Sequence, residues 1–358
     1  MAKKGVTDSF LKGLLKASGN ELASILEDDA LSNTTDWIDT GSMALNGLMT
    51  ADINKGIPNN KVVLFQGEKS CGKTYMVLSI AKKAIEKGYY IVYFDSENAT
   101  EKSMFVSRGI DPNKVMYVPI DTVENFRNQL IKVINDYNNN TDPKRPKLLI
   151  ILDSLGNLST NKEIADAEEG KNVSDMTRAK IIRSIYRSIN LKLAKAKIPM
   201  LVTNHTYSII GSYVPTTKGS GGQGPEYIAS VMIDLKKKNA KDKDGNLLGF
   251  YITAKNVKNR TAREQAKVIT YLDFFNGLHK YYGLQEFGGT YLKKETRGWS
   301  VGGKSISEKE LWKMEWDETL LNKINENIKN TLSLGNTGEE REMGEEEISE
   351  EESVKEEA

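Results

Sequence analysis

Gly67-Glu68-Lys69-Ser70-Cys71-Gly72-Lys73-Thr74 decides how this chain is read. It fits G-x-x-x-x-G-K-[ST] at every fixed position. It stands between a short apolar run, residues 62–65, and a helical pattern with Met76, Val77, Ile80, Ala81, Ala84 and Ile85 on one face. A glycine-rich turn from strand to helix lets backbone N–H groups converge on a phosphate, and the helix N-terminus adds a favourable dipole. Lys73 is expected to reach the β- and γ-phosphates of ATP, and the Thr74 hydroxyl to serve Mg²⁺. The candidate nucleotide contacts are Gly67, Ser70, Cys71, Gly72, Lys73, Thr74 and the following Tyr75. Cys71, beside Lys73 near a helix N-terminus, is expected to favour a thiolate that alkylates unless Mg-ATP covers it.

Outward from this loop, strands and helices alternate. Apolar runs at 91–94, 148–152, 200–203, 231–235, 251–254 and 268–272 read as strands, and 123–137 and 174–197 as helices. The run LLIIL at 148–152 has no polar alternation, as expected of a strand covered on both faces by helices. The pattern is that of an α/β, mostly parallel, doubly wound core. Asp153 ends that run, where a carboxylate can support the metal, although a helix N-cap is the competing reading and Ser154 could serve it equally. Ser154 also occupies the position where many such enzymes carry a catalytic Glu. Glu97, at the end of the strand in YFDSENA, is the other candidate to orient the attacking water.

The chain has 358 residues, 39% hydrophobic and 28% charged, enough for one large core with smaller appendages. No run approaches the roughly 18 apolar residues of a membrane span, and the N-terminus lacks the apolar stretch of a secretory signal. One cysteine excludes an internal disulfide and suits a reducing cytoplasm; with His205 and His279 as the only histidines, a His/Cys zinc site is not expected. The net charge of +1 is a cancellation. Residues 339–358 hold eleven Glu against Arg341 and Lys355, a net of −9, which leaves +10 on residues 1–338. A basic body with an acidic tail suits a polyanion partner and a tethered competitor for it; a solubilising tail is the plainer alternative.

Together with TGSMALN at 40–46, the pair Asn204-His205, and GSGGQG at 219–224 before YIASVMIDL, these motifs resemble the RecA family. The stretches DSLGNL (153–158), VSDMTRAK (173–180) and NHTY (204–207) are more similar to its UvsX-type phage recombinases, which place His where bacterial RecA places Gln. The resemblance covers about residues 38–275 and implies a RecA-like P-loop core. To it are added an N-terminal helical arm for subunit docking (1–37), a small C-terminal α+β domain (276–335) and a disordered acidic tail (336–358). It implies a DNA-dependent ATPase, in the cytoplasm of a bacterial host if phage-encoded. The protein would form a helical filament on single-stranded DNA and pair it with homologous duplex, with mediator or single-strand-binding proteins engaging the C-terminal region.

The resemblance also assigns roles. Glu97 becomes the catalytic carboxylate and His205 the reader of the γ-phosphate; Lys258 and Arg260, in KNVKNR, become a basic pair that completes a neighbour's site. Two loops, about 161–175 and 207–224, would face DNA. Lys162, Lys171, Lys218 and Arg178, at the start of the basic helix, supply charge there; Tyr207 and Tyr213 supply rings, and Gly221 and Gly222 flexibility. The family's adenine-stacking Tyr is replaced by Met104, so the base contact there rests on a thioether. Ser220-Gly221-Gly222-Gln223 resembles the ABC signature but lies after Asp153 rather than before it, and that reading is rejected. A ring helicase of the same fold and a small-molecule kinase are the rivals.

Overall fold

The computed structural model describes residues 4–26, 31–171, 177–208, 217–219, 224 and 229–334. Tyr213, Gly221, Gly222, the end of the first expected DNA loop and the acidic tail lie outside the described residues, as does the side chain of Lys218.

Two short strands, β1 (Trp37–Ile38) and β2 (Ile57–Pro58), pair with each other apart from the centre, which is a ten-stranded sheet. Its parallel portion runs β9 (Val231–Lys241), β3 (Val62–Gly67), β7 (Met200–Ser208), β6 (Lys147–Asp153), β4 (Tyr89–Asp95), β5 (Val115–Pro119). Beyond β9 the sheet turns antiparallel through β10 (Leu247–Asn259), β11 (Lys267–Asp273) and β12 (Gly277–Leu278), and β8 (Thr217–Gly219) pairs antiparallel with the far end of β7. The central strands are apolar on both faces because each face is covered. One hydrophobic cluster, on the side of α2 (Met43–Thr50) and α3 (Lys73–Glu86), holds Val63, Phe65, Ile80 and Tyr93. The other, under α5 (Val123–Asn139) and α7 (Arg178–Ala196), holds Leu64, Phe94, Leu152 and Ile189.

Helix α1 (Lys4–Ser18) stops before Gly19, which adopts φ +62°, a conformation glycine enters without strain. The stripe expected over 8–26 is therefore helical only in its first part. Phe10 and Leu14 remain exposed rather than packing on the core. The segment expected as the first loop opens instead with a helix, α6 (Asn161–Glu168). Thr160 caps the Glu163 N–H and the Glu163 carboxylate returns to the Thr160 N–H, a capping box that converts eight residues to helix.

At the C-terminal end, a three-stranded antiparallel sheet (Leu292–Glu295, Gly298–Val301, Lys304–Ile306) packs with helices Glu308–Lys313 and Glu318–Leu332. Trp299, Trp316, Leu320 and Ile328 belong to the same continuous apolar cluster as α2 and α3. A buried polar link adds register: Asn325 Oδ1 accepts the Ile53 N–H at 2.9 Å.

Candidate active site

The loop between β3 and α3 is fixed by close packing. A Cβ on Gly67 would lie 2.4 Å from the Leu235 carbonyl oxygen and 2.7 Å from Cys71 Sγ, so no other residue fits. Gly72 precedes the helix at φ +95°. Lys73, almost wholly buried, donates through Nζ to the carbonyls of Gly67 (3.0 Å) and Glu68 (2.8 Å), which holds its ammonium within the loop.

Cys71 does not match the expected thiolate. Its side chain is buried beneath the loop, and burial pushes its pKa up; the nearby Lys73 charge opposes that shift without reversing it. The residue contributes a backbone N–H to the loop and a plug to the core.

Parallel pairing aligns Asp95 with Asp153 across β4 and β6, and Gly67 with His205 across β3 and β7. The carboxyl ends of these strands therefore surround the loop, the side on which open α/β sheets bind ligands. Asp153 is buried and accepts three hydroxyls: Thr74 and Tyr93 on Oδ2, each at 2.7 Å, and Thr203 on Oδ1. A carboxylate only accepts, so the Thr74 proton points to Asp153 and the Thr74 oxygen keeps its lone pairs for a cation. Two hard oxygen donors beside a phosphate loop suit Mg²⁺. Thr74 and Asp153 are the residues that would hold it, and the metal would supply charge neutralisation at the phosphates.

Glu97 is positioned by the turn before it. The Asp95 carboxylate accepts the N–H groups of Glu97 (2.9 Å), Asn98 (2.8 Å) and Thr100 (3.1 Å), winding DSENAT into a compact bend. The Glu97 side chain reaches His205 Nε2 at 2.8 Å, and its Oε1 also accepts the Ser154 hydroxyl at 3.0 Å. The His205 hydrogen bond, aided by Ser154, holds the Glu97 carboxyl below its ordinary range despite the opposing effect of partial burial. Ser154 thus takes the position left empty of a carboxylate and steadies the one supplied by β4.

From Tyr75 a cleft of about 600 Å³ runs along α3, walled by Tyr75, Leu78, Arg108, Phe274, Phe275 and Lys280. The Arg108 guanidinium lies 4.0 Å above the Tyr75 ring, and Phe274 approaches that ring at 6.4 Å. Met104 is not on this wall. It packs half-buried against the core, and its carbonyl accepts from Arg108 at 2.7 Å. Arg108 and Phe274 were invisible as site residues in the sequence, because two distant segments bring them to α3: the turn that ends α4 (Lys102–Val106) carries Arg108, and the turn between β11 and β12 carries Phe274.

Lys258 and Arg260 fall elsewhere. Lys258 pairs with Met232, and the Arg260 N–H bonds the Ser230 carbonyl at 3.0 Å, near the start of β3 rather than its end. Arg260 and Lys197 there repel Lys61, whose ammonium is disfavoured first by burial. Among the candidate DNA residues, Tyr207 is exposed at the end of β7, Lys162 is exposed on α6, and Lys171 pairs with Glu169. Arg178 is partly committed: its Nη2 donates to the Gly156 carbonyl at 2.9 Å and the Leu155 carbonyl at 3.3 Å, tying α7 to the segment after Asp153. No helix among the described residues is long and apolar enough to cross a membrane.

Comparison with known proteins places these features in a family context. The family model described as the RecA N-terminal domain matches residues 6–279. The "Recombination and repair protein" of Enterobacteria phage T4 is 28% identical over 312 residues, covering 84% of this chain and 78% of the relative. Protein RecA of Sulfurimonas denitrificans is 24% identical over 343 residues, covering 94% and 93% respectively. Protein RecA of Mycoplasma mycoides is 23% identical over 338 residues, covering 92% and 91%.

Proposed function

The chain belongs to the RecA family, and from that premise we propose that it is a DNA-dependent ATPase that assembles as a filament on single-stranded DNA and pairs it with homologous duplex. The observation that carries the reading is the convergence of Lys73, the Thr74–Asp153 pair and the Glu97–His205 pair around one phosphate loop. Glu97, kept ionised, orients the attacking water. His205 holds Glu97 and is the first residue able to register a γ-phosphate, and it lies two residues before Tyr207 at the exit of β7. A change at the phosphate thereby reaches the segment expected to meet DNA.

The base is assigned to the cleft beyond Tyr75, where a ring and a guanidinium already stack, rather than to Met104. Lys258 and Arg260 complete the site of a neighbouring subunit, since they lie away from their own loop. The exposed face of α1 supports docking between subunits. Single-strand-binding or mediator proteins engage the C-terminal region.

Electron microscopy with long single-stranded DNA, with and without a non-hydrolysable ATP analogue, tests this. Continuous helical filaments that need the analogue support it. Closed rings with directional unwinding would favour a helicase, and DNA-independent phosphate transfer to a small molecule would favour a kinase.

A further inference from the structure

We propose that Tyr93 is a positioning residue for the metal site: its hydroxyl, the last link of a one-way chain of hydroxyls, fixes the orientation in which Asp153 accepts from Thr74. This rests on the reading of Thr74 and Asp153 as the pair that serves Mg²⁺.

Tyr93 sits in the middle of β4, wholly buried, between Tyr117 on β5 and Ile151 on β6 in register. The Tyr117 ring stacks beside it at 6.4 Å and the Phe105 edge meets it at 5.4 Å. Phenylalanine would fill this apolar slot, and a buried hydroxyl costs free energy unless it finds a partner. The partner here is Asp153 Oδ2, at 2.7 Å.

Chemistry sets the direction of the chain. A carboxylate oxygen accepts only, so the Tyr93 proton goes to Asp153. The Tyr93 oxygen then accepts from the Thr100 hydroxyl at 3.3 Å. Thr100 itself is held by its backbone N–H on Asp95 Oδ2 at 3.1 Å, the carboxylate that also shapes the turn carrying Glu97. Hydrogen bonds in such a row polarise one another. One end of the row is the metal carboxylate, and the other is the bend that presents the hydrolytic one.

Two donors share Oδ2, Thr74 and Tyr93, while Thr203 occupies Oδ1. The terminal torsion of an aspartate is broad and two-fold. With three donors in fixed positions the carboxylate plane is determined, and so is the side of Thr74 that its lone pairs face. Removing the Tyr93 hydroxyl frees one of the three restraints and leaves the apolar packing intact. A partner of this kind, one step removed from a metal, is commonly worth about 10- to 100-fold in metal affinity or activity.

The test uses full-length Tyr93→Phe, with Thr100→Val as a second variant and Tyr117→Phe as a comparison. Two quantities are read: the Mg²⁺ concentration that half-saturates equilibrium binding of a fluorescent non-hydrolysable ATP analogue, and the Mg²⁺ dependence of DNA-stimulated hydrolysis. Tyr93→Phe should raise both midpoints about tenfold, with kcat recovering at saturating Mg²⁺ and analogue binding in EDTA unchanged. Thr100→Val should move them the same way by less. Tyr117 donates to Asp95 rather than Asp153, so its variant should leave the midpoints in place. Midpoints within roughly twofold of the parent in Tyr93→Phe would overturn the proposal, as would an equal loss of analogue binding with and without Mg²⁺. Should Tyr93→Phe fail to fold, an unshifted Thr100→Val overturns it instead. A parent protein whose nucleotide binding ignores Mg²⁺ would sink the metal reading itself, a result separable from all of these.

Discussion

Lys258 and Arg260 should work on a neighbour's nucleotide, and the sheet register gives the reason. Lys258 pairs with Met232, which pairs with Leu64, three residues before Gly67 and two strands away. At about 3.3 Å per residue and 4.8 Å per strand, its Cα lies about 14 Å from that of Gly67. Arg260 is lower still, level with the start of β3, at about 19 Å by the same reckoning. The phosphates lie beyond Gly67, so neither side chain reaches them within one subunit. In a head-to-tail filament each site joins one subunit's loop to the next subunit's pair. Lys73→Ala protein keeps a sound pair and Lys258→Ala/Arg260→Ala protein keeps a sound loop; each alone should be inactive. Mixed at random in equal amounts, about one site in four combines the two sound halves, so about a quarter of wild-type DNA-dependent ATPase should return. Recovery should vary as the product of the two fractions, vanishing at both ends of the titration. The assay is steady-state phosphate release at fixed total protein, with co-assembly verified by microscopy of differently tagged proteins. Co-assembled filaments without any recovery would refute the placement of the pair in trans.

Three further outcomes follow from the site and its surroundings. Glu97→Gln should retain nucleotide and DNA binding while turnover falls by about 10²–10⁴, the scale of a lost general base; Lys73→Ala on its own should lose both, joining filaments only beside subunits with a sound loop, and full turnover by Glu97→Gln removes that residue from the chemistry. Cys71, buried and with its thiol pKa raised, should resist alkylation in the folded protein whether or not nucleotide is present; rapid labelling of native protein would contradict the packing beneath the loop. His279 accepts the Tyr281 and Tyr282 N–H groups on Nδ1 and contacts the Trp312 carbonyl through Nε2, and burial lowers its pKa below 6.5. The unfolded chain then binds the proton first, so this contribution to stability is complete above about pH 6.5 and is lost as pH falls from there toward the folded value. The melting temperature should drop over that range, and the slope should lessen in His279→Gln.

The parts of the site that the sequence displayed are those where chemistry and chain continuity coincide. Residues 67–74 carry their own glycines, cation and hydroxyl, and strand β6 is apolar up to its terminal Asp153. Helix α6 was equally legible through Thr160 and Glu163, but the family pattern of a DNA loop hid it. The β9–β10 hairpin outruns the expected strands at 231–235 and 251–254, because the consecutive exposed Lys236, Lys237 and Lys238 beyond Leu235 lack the apolar signature while the strand still pairs through Lys241. Features made by distant segments gave no signal at all: the Arg108–Tyr75 stack, the Phe274 wall, and the tie from Arg178 to the carbonyls after Asp153.

Cys71 and Arg178 show the same limit from the other side. Composition assigns a thiol beside a lysine to reactivity and an arginine at a helix start to phosphate, and each assignment holds only while the group faces solvent. Packing engages both: Cys71 Sγ lies buried where a Cβ on Gly67 would meet it, and one nitrogen of the half-buried Arg178 guanidinium is taken up by two backbone carbonyls. Tyr93 makes the converse case. In sequence it is one more apolar residue of a central strand, and only the register that sets Asp95 beside Asp153 gives its hydroxyl a carboxylate to hold. Residue type proposes a chemistry, and burial together with register decides whether that side chain can carry it.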